Sequence, residues 1–442
     1  MSHDSRATKR ASSRRFRRHP EPRPTHRVPD PPFPRLGLLI LAAAIFVSMS
    51  TEFLPGGLVP NIAATFDRPV TDVGQLITVF AGAVILTTTP LAILTRRMPR
   101  KPLAVIALVG IAAATGLTAL APTFEMLLIA RAAGGVAHGL FWSVAAAYAA
   151  DLVPSSQLGR ATAITAAGGS VAGVLGVPLG NALGQAFGWR VAFGALAAVA
   201  VLVVLMVALL LPAVSPRAPA VRRASARDAS TRDASTRSAL GRILLVCAII
   251  LLVVIGQTTY GTYSVVWLGE IALIPSAAIP AFLFAGGLAS LAAVSAVGRI
   301  ADRFPNGAVP VAVGLVAVLS ALFPLAVEWG IGPLVVNSLL QAMAFAVVPI
   351  LLQARMMRIA PPHQRATAAA LQTTAFNVAI GGGAAIGALV VGVWGLEALP
   401  WVAALLPTVG LILLLLTSRA TAAHAEIDPH PPTSDTEVHS VS

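Results

Sequence analysis

The sequence predicts an all-α integral membrane protein of twelve transmembrane helices in two six-helix halves. Three observations carry that prediction. Long uncharged apolar blocks recur along the chain, basic residues fall on alternate sides of those blocks, and landmarks of the first half return in the second. Of 442 residues, 56% are hydrophobic and only 11% are charged, where a soluble domain is about 25% charged. A soluble protein of this size would need more polar surface to cover its core, which excludes a soluble globular enzyme. Cys247 is the only cysteine, which excludes a disulfide-stapled secreted domain.

Residues 1–35 read as a disordered basic cytoplasmic tail, rich in Arg, Ser and Pro. Its Arg14-Arg15-Phe16-Arg17-Arg18 run suits loose docking on anionic lipid. It is no cleavable signal peptide, because the charged region is too long and the apolar run after it is long enough to span. The N-terminal six-helix half, 36–212, begins with an apolar block at 36–62 broken only by Glu52. Uncharged blocks follow between residues 72–96, 101–125, 131–151, 160–190 and 190–217. Residues 213–242 carry Arg222, Arg223, Arg227, Arg232 and Arg237, with Arg-Asp-Ala-Ser-Thr repeated at 227–231 and 232–236. Such a segment buries too little apolar surface to fold and reads as a cytoplasmic linker. The C-terminal six-helix half, 243–417, has its blocks between residues 242–270, 270–299, 303–328, 328–355, 365–397 and 397–419. Residues 418–442 form a polar cytoplasmic tail, in which His424, His430 and His439 lack metal-site spacing. Each apolar block holds roughly 18 or more residues, enough for a helix to cross about 30 Å of hydrocarbon. Alternation of period two is absent, which argues against a membrane β-barrel.

Orientation follows from Lys and Arg. With the N-terminus inside and twelve spans, the inner segments hold all but Arg68, Arg131 and Arg190 of the 31 basic residues. The net charge of +13 is therefore mostly topology, and no nucleic-acid partner is expected. The expected location is the inner (plasma) membrane, multi-pass, with both termini cytoplasmic. The halves also repeat. Arg160-Ala-Thr-Ala opens the fifth span and Arg365-Ala-Thr-Ala the eleventh, and the Thr95 loop aligns with the Asp302 loop at nearly the same offset. A parallel repeat of six plus six spans is a plan of secondary transporters, with a midplane site between the halves.

Four stretches carry a resemblance. They are Thr51-Glu52-Phe53 with Gly57-Leu58-Val59-Pro60, His138-Gly139-Leu140-Phe141-Trp142-Ser143, Gly176-Val177-Pro178-Leu179-Gly180, and Gly188-Trp189-Arg190 with Phe193. Over about residues 36–417 the chain resembles the major facilitator superfamily. Within it, the chain is similar to the twelve-span drug:proton antiporter group, especially its sugar efflux branch. The resemblance implies the major facilitator fold and proton-coupled efflux of sugars or small drug-like molecules by alternating access. One loop departs from the pattern Gly-x-x-x-Asp-Arg: Leu91 holds the Gly position and Thr95 the Asp position, while Arg96, Arg97, Arg100 and Lys101 remain. In the family that acid belongs to a charge cluster locking the inner gate. The second copy keeps Gly298, Asp302 and Arg303, so these and the first-loop arginines are the gating candidates.

Glu52 is the only carboxylate well inside an apolar span, and an intramembrane acid by default marks function. It is the first proton-coupling candidate; the plain alternative is an acid near the helix end that snorkels or caps beside Pro55. Arg131 stands where the family has its fourth-span Arg. Spacing of seven puts Arg131, His138 and nearby Trp142 roughly on one face. Arg131 and His138 join Glu52 as coupling candidates, against the readings of an interface Arg and a structural His. Trp142 could stack on a ring or face lipid. Gln257, Tyr260, Tyr263, Gln341, Gln372 and Asn377 could hydrogen-bond substrate hydroxyls or neighbouring helices. Gly176, Pro178 and Gly180 read as close packing or a hinge between halves, with Gly381, Gly382, Gly383 and Gly387 as a looser counterpart.

No Gly-x-Ser-x-Gly elbow, metal-ligand pair or P-loop occurs, so neither an enzyme nor a cofactor is expected and a gradient must drive transport. The expected partners are a small-molecule substrate, protons and the lipid bilayer, with the protein a monomer. Two other functions fit the same sequence: a uniporter or uptake carrier in which Glu52 only binds substrate, and a non-transporting membrane sensor or scaffold.

Overall fold

A computed structural model describes residues 33–154, 157–213, 229–304, 307–361 and 364–427. The expected basic tail up to residue 32, much of the linker and residues 428–442 lie outside these residues. The described regular structure is helical throughout: α1 (Arg35–Gly57), α2 (Val59–Phe66), α3 (Val70–Thr95), α4 (Arg100–Leu120), α5 (Phe124–Asp151), α6 (Leu158–Val171), α7 (Val177–Phe187) and α8 (Trp189–Leu210) in the first half. The second half holds α9 (Ala229–Glu270), α10 (Ile279–Arg303), α11 (Ala308–Ala321), α12 (Phe323–Glu328), α13 (Ile331–Ile359), α14 (Arg365–Trp394) and α15 (Leu399–Ile427). Eleven helical segments among the described residues are long and apolar enough to cross a membrane. The ninth expected span divides into α11 and α12 around Leu322, because Pro324, in the first turn of α12, has no N–H to continue the α11 ladder.

Proline shapes two other spans. Pro60 lies in the first turn of α2, so the first span steps at Leu58. Pro178 lies in the first turn of α7, and a π-turn over Ala172–Gly176 joins α6 to α7, lodging the residue that a regular ladder cannot hold. The segment 213–242 differs from the sequence expectation. α9 already begins at Ala229, inside the presumed linker, because residues 229–240 hold neither Gly nor Pro. α15 likewise runs past 417 to Ile427.

The glycines of the fifth span pack on α1. A Cβ on Gly168 would lie 2.0 Å from the Ala42 carbonyl oxygen, one on Gly176 2.3 Å from Ser50 Oγ, and one on Gly180 2.1 Å from Leu54 Cδ1. Glycine is what lets these helices approach. Both partners belong to the first half, so Gly176 and Gly180 close a contact within that half and not between halves. The same span also packs on the second half: a Cβ on Gly287 of α10 would sit 2.7 Å from the Cα of Val174, two residues before Gly176, and α7 lies against α10 as well.

One end of the bundle is aromatic and closed. Leu58, Phe124, Trp189 and Phe193 of the first half share an apolar cluster with Tyr263, Trp267, Ile279, Phe323 and Leu399 of the second. Below it, α3 and α14 touch: Thr78 Oγ1 donates to the Gly381 carbonyl at 3.1 Å, and Gly381 faces Ala81. Toward the opposite, basic end, Thr373 and Thr374 of α14 are exposed and bond back to Ala369 and Ala370 of their own helix.

Candidate functional site

The fourth span, α5, brings Arg131 and His138 against α1. Both are buried, as is Glu52 at 3% exposure. Glu52 Oε2 lies 3.5 Å from His138 Nε2. The ring's other nitrogen, Nδ1, lies 2.9 Å from Ser48 Oγ. The imidazole packs edge-on against Phe80 at 5.1 Å and at a tilt against Trp142 at 6.0 Å.

Arg131 does not pair with the carboxylate. Its guanidinium donates to three backbone carbonyls: Thr51 at 2.8 Å through Nη1, Glu52 at 3.2 Å through Nη2, and Leu76 at 3.3 Å through Nε. It also lies 4.2 Å from the centre of the Phe80 ring, a cation–π contact. A buried guanidinium has five donors to satisfy, and Pro55, four residues on in α1, has no N–H to take the Thr51 carbonyl. Arg131 thus ties α1 to α3 and α5. The structure places Glu52, Arg131 and His138, each a coupling candidate from the sequence, beside one another; the sequence reading did not single out Ser48. The signal available was its spacing of four from Glu52, which places both on one face of α1.

Two cavities lie in the bundle, and one of them borders this group. One, of about 410 Å³, runs between the halves and is lined by Phe53, Gly56, Gly173, Val177, Pro178, Thr258, Thr262 and Ile380. Phe53 is the residue after Glu52, so α1 presents the acid to α5 and the next side chain to the cavity. The other, of about 530 Å³, lies in the second half between α9, α10, α12 and α13. The two share Gln257, Gly261, Ser264, Leu283 and Phe345.

The remaining candidates divide by position. Gln257, Tyr260 and Gln341 line the second-half cavity. Gln257 Nε2 donates to Ser320 Oγ and the Ala403 carbonyl, both at 3.1 Å, and Gln341 Nε2 donates to Gln257 Oε1 and to Ser320 Oγ. Tyr260 stacks on Phe323 with centroids 4.9 Å apart. Tyr263 lines neither cavity. Its hydroxyl lies 3.5 Å from the Thr71 carbonyl of α3 and 3.4 Å from the Ala384 carbonyl of α14, seated on Gly74. Trp142, Gln372 and Asn377 also lie outside both cavity walls; Gln372 is buried, and Asn377 Nδ2 donates to the Thr373 carbonyl of its own helix.

At the basic end, Arg96 and Arg97 are exposed in the turn after α3. Thr95, in the family's acid position, is buried and donates to the Leu91 carbonyl at 2.6 Å. The acid near this loop is Asp151, at the end of α5, whose Oδ2 lies 3.6 Å from Arg100 Nε. Sequence reasoning missed it because its partner is 51 positions away. In the second loop Gly298 has open space where a Cβ would stand, and Arg303 is exposed beside the Phe304 ring. The Asp302 side chain lies outside the described residues.

Comparison with known proteins agrees with this architecture. A probable sugar efflux transporter of Mannheimia succiniciproducens is 29% identical over 393 residues, covering 86% of this chain and 93% of that protein. A mutant of the nucleoside transporter NupG superposes with a TM-score of 0.68 at 15% identity, covering 86% of this chain and 99% of that one. A bacterial homologue of the human lysosomal transporter Spinster, inward-facing and occupied, gives 0.64 at 15% identity over 88% and 97%. The human organic anion transporter MFSD10 gives 0.62 at 20% identity over 87% and 100%. The family model of the Major Facilitator Superfamily matches residues 41–336. With twelve spans in two six-helix halves and that match over most of its length, the chain belongs to the major facilitator superfamily and is a membrane transporter.

Proposed function

We propose that this transporter exports sugars or small drug-like molecules in exchange for protons, by alternating access through the cavity between its halves. The observation that carries the reading is the Glu52–His138 pair. It is the acid–imidazole contact buried in the first half, 3.5 Å apart, and its acid adjoins a wall residue of the central cavity. An acid withdrawn from water beside an imidazole can take and release a proton as its surroundings change. Sugar as cargo is supported by the name of the Mannheimia relative and by Gln257, Gln341 and Ser264, neutral polar groups that bond hydroxyls, among aromatic walls. The positive-inside distribution supports placing both tails and the basic end in the cytoplasm, with the aromatic end outside. The protein would act as a monomer in the inner membrane, facing inward in the state described. Energetically the scheme closes. A proton crossing about 100 mV gains roughly 2.3 kcal/mol, and each pH unit adds about 1.4 kcal/mol. Together these sustain a gradient on the order of several hundred-fold for a neutral solute.

The test is transport of a radiolabelled sugar panel into everted vesicles with and without an imposed pH gradient. Accumulation that collapses when the gradient is removed supports the proposal. Equilibration without accumulation, indifferent to the gradient, identifies a uniporter, and no uptake of any sugar removes sugars as the cargo.

A further inference from the structure

Ser48 and Glu52 stand one turn apart on α1 and approach the two nitrogens of one imidazole, Ser48 Oγ at Nδ1 and Glu52 Oε2 at Nε2 of His138. We infer that Ser48 is a positioning residue of the proton site, its hydroxyl turning from donor to acceptor whenever the Glu52–His138 pair takes up a proton. This rests on the proton-coupled reading above, and it adds the group that partners the ring nitrogen turned away from the acid.

The donor inventory fixes the sequence of states. With the pair deprotonated, the Glu52 carboxylate can only accept, so His138 carries its hydrogen on Nε2. The Nδ1 lone pair then accepts from the Ser48 hydroxyl. When one proton enters, Nδ1 becomes N–H. The ring is now an imidazolium facing a carboxylate, or, once the Nε2 hydrogen moves to Glu52 Oε2, a neutral ring facing a carboxylic acid. The two forms hold the same atoms and charge. In both, Nδ1–H donates and Ser48 Oγ must accept, which a hydroxyl can do while its own hydrogen turns to a helix carbonyl one turn back. Ser48 has 0% exposure, so water does not reach it to take over either role. Alanine in its place would leave the protonated form with a buried N–H donor unpaired, and the deprotonated form with only an unused lone pair. The first loss is the larger, because hydrogen bonds of charged groups are the stronger.

The surroundings leave this switch to Ser48. Phe80 and Trp142 hold the ring from the side. Arg131, on α5 itself, is the other charge facing the pair, and three backbone carbonyls engage it. The helices packed on α1 and α5 carry their charged groups near their ends: Asp72 on α3, Arg100 and Lys101 on α4, Arg160 on α6, Arg190 on α8. From α9, the Tyr263 hydroxyl is seated between the Thr71 and Ala384 carbonyls, and Tyr260 stacks on Phe323 in the second half.

The experiment is a ¹⁵N NMR titration of histidine-labelled full-length protein in lipid nanodiscs, with the His138 signals assigned by their loss in His138→Asn. The wild type should carry its hydrogen on Nε2 at high pH and gain one on Nδ1 as the pH falls. Ser48→Ala should move that midpoint to lower pH by about one unit, a tenfold higher proton concentration, and Ser48→Thr, which keeps the hydroxyl, should restore it. A midpoint unmoved by Ser48→Ala overturns the inference and leaves the coupling pair standing. A wild-type His138 with its hydrogen on Nδ1 at high pH also overturns it, without any serine variant having to fold. A wild-type His138 and Glu52 that bind no proton across the range overturn the coupling reading and this inference together.

Discussion

Gly74 is where a single methyl group should reset the balance between the two access states. An ideal Cβ on Gly74 would stand 1.9 Å from Tyr263 Oη and 2.9 Å from Cζ, whereas carbon contacts are comfortable near 3.5–4.0 Å. The tyrosine must therefore retreat by roughly 1.5 Å. Its hydroxyl is already at the limit of reach, 3.5 Å from Thr71 and 3.4 Å from Ala384, so both contacts are lost. Overpacking costs about 1–3 kcal/mol and the lost hydrogen bond about 1 kcal/mol. Only the state closed at the aromatic end bears that cost, because opening it separates α3 from α9 and α14. Gly74→Ala should therefore disfavour the closed aromatic end by about 2–4 kcal/mol, roughly 30- to 900-fold in population. Spin labels on Leu120 and Ile331, exposed residues at that end of opposite halves, report it directly. Their distance distribution should move to longer values in Gly74→Ala. Tyr263→Phe in the same chain removes the nearest atom and should return part of the population. A folded Gly74→Ala protein with the wild-type distribution would refute the reasoning.

Three further outcomes are expected. Glu52→Gln, which keeps volume and hydrogen bonding without the charge, should lose export against a gradient while downhill exchange persists; full pH-driven export by this variant would leave His138 as the proton carrier. Asp151→Asn should remove the attraction to Arg100 across the start of α4 and the end of α5, lowering stability by about 1 kcal/mol and the melting temperature by a few degrees; an unchanged thermal transition would mean that the 3.6 Å contact contributes nothing. A reporter active only outside the cytoplasm, fused after Arg223, should be silent, and activity there would reverse the assigned orientation.

The sequence by itself determined what depends on composition and spacing along one chain. Apolar block lengths gave the helices, because a bilayer demands about twenty uncharged residues for each crossing. The landmark at Arg160 and Arg365 gave the two halves. The lone intramembrane acid pointed to Glu52, and one helix face joined Arg131 to His138. Where local chemistry overrode length, the structure was still legible after the fact: Pro324 divides the ninth span, and Pro178 accompanies the π-turn of the fifth. What only the tertiary structure decided is which groups meet across helices. Arg131 turned to backbone carbonyls, that of Thr51 left without its helix partner by Pro55, leaving Glu52 to His138. Tyr263 became a wedge between α3 and α14, although its residue type equally suited a sugar contact. Gly176 and Gly180 met α1 within their own half. Asp151 stood in near Arg100, while the Thr95 hydroxyl bonded back to its own helix. Apart from the Thr95 bond within its own helix, these contacts join residues tens to hundreds of positions apart, and their partners depend on how helices rotate and approach, which side-chain packing fixes only once all the spans are assembled.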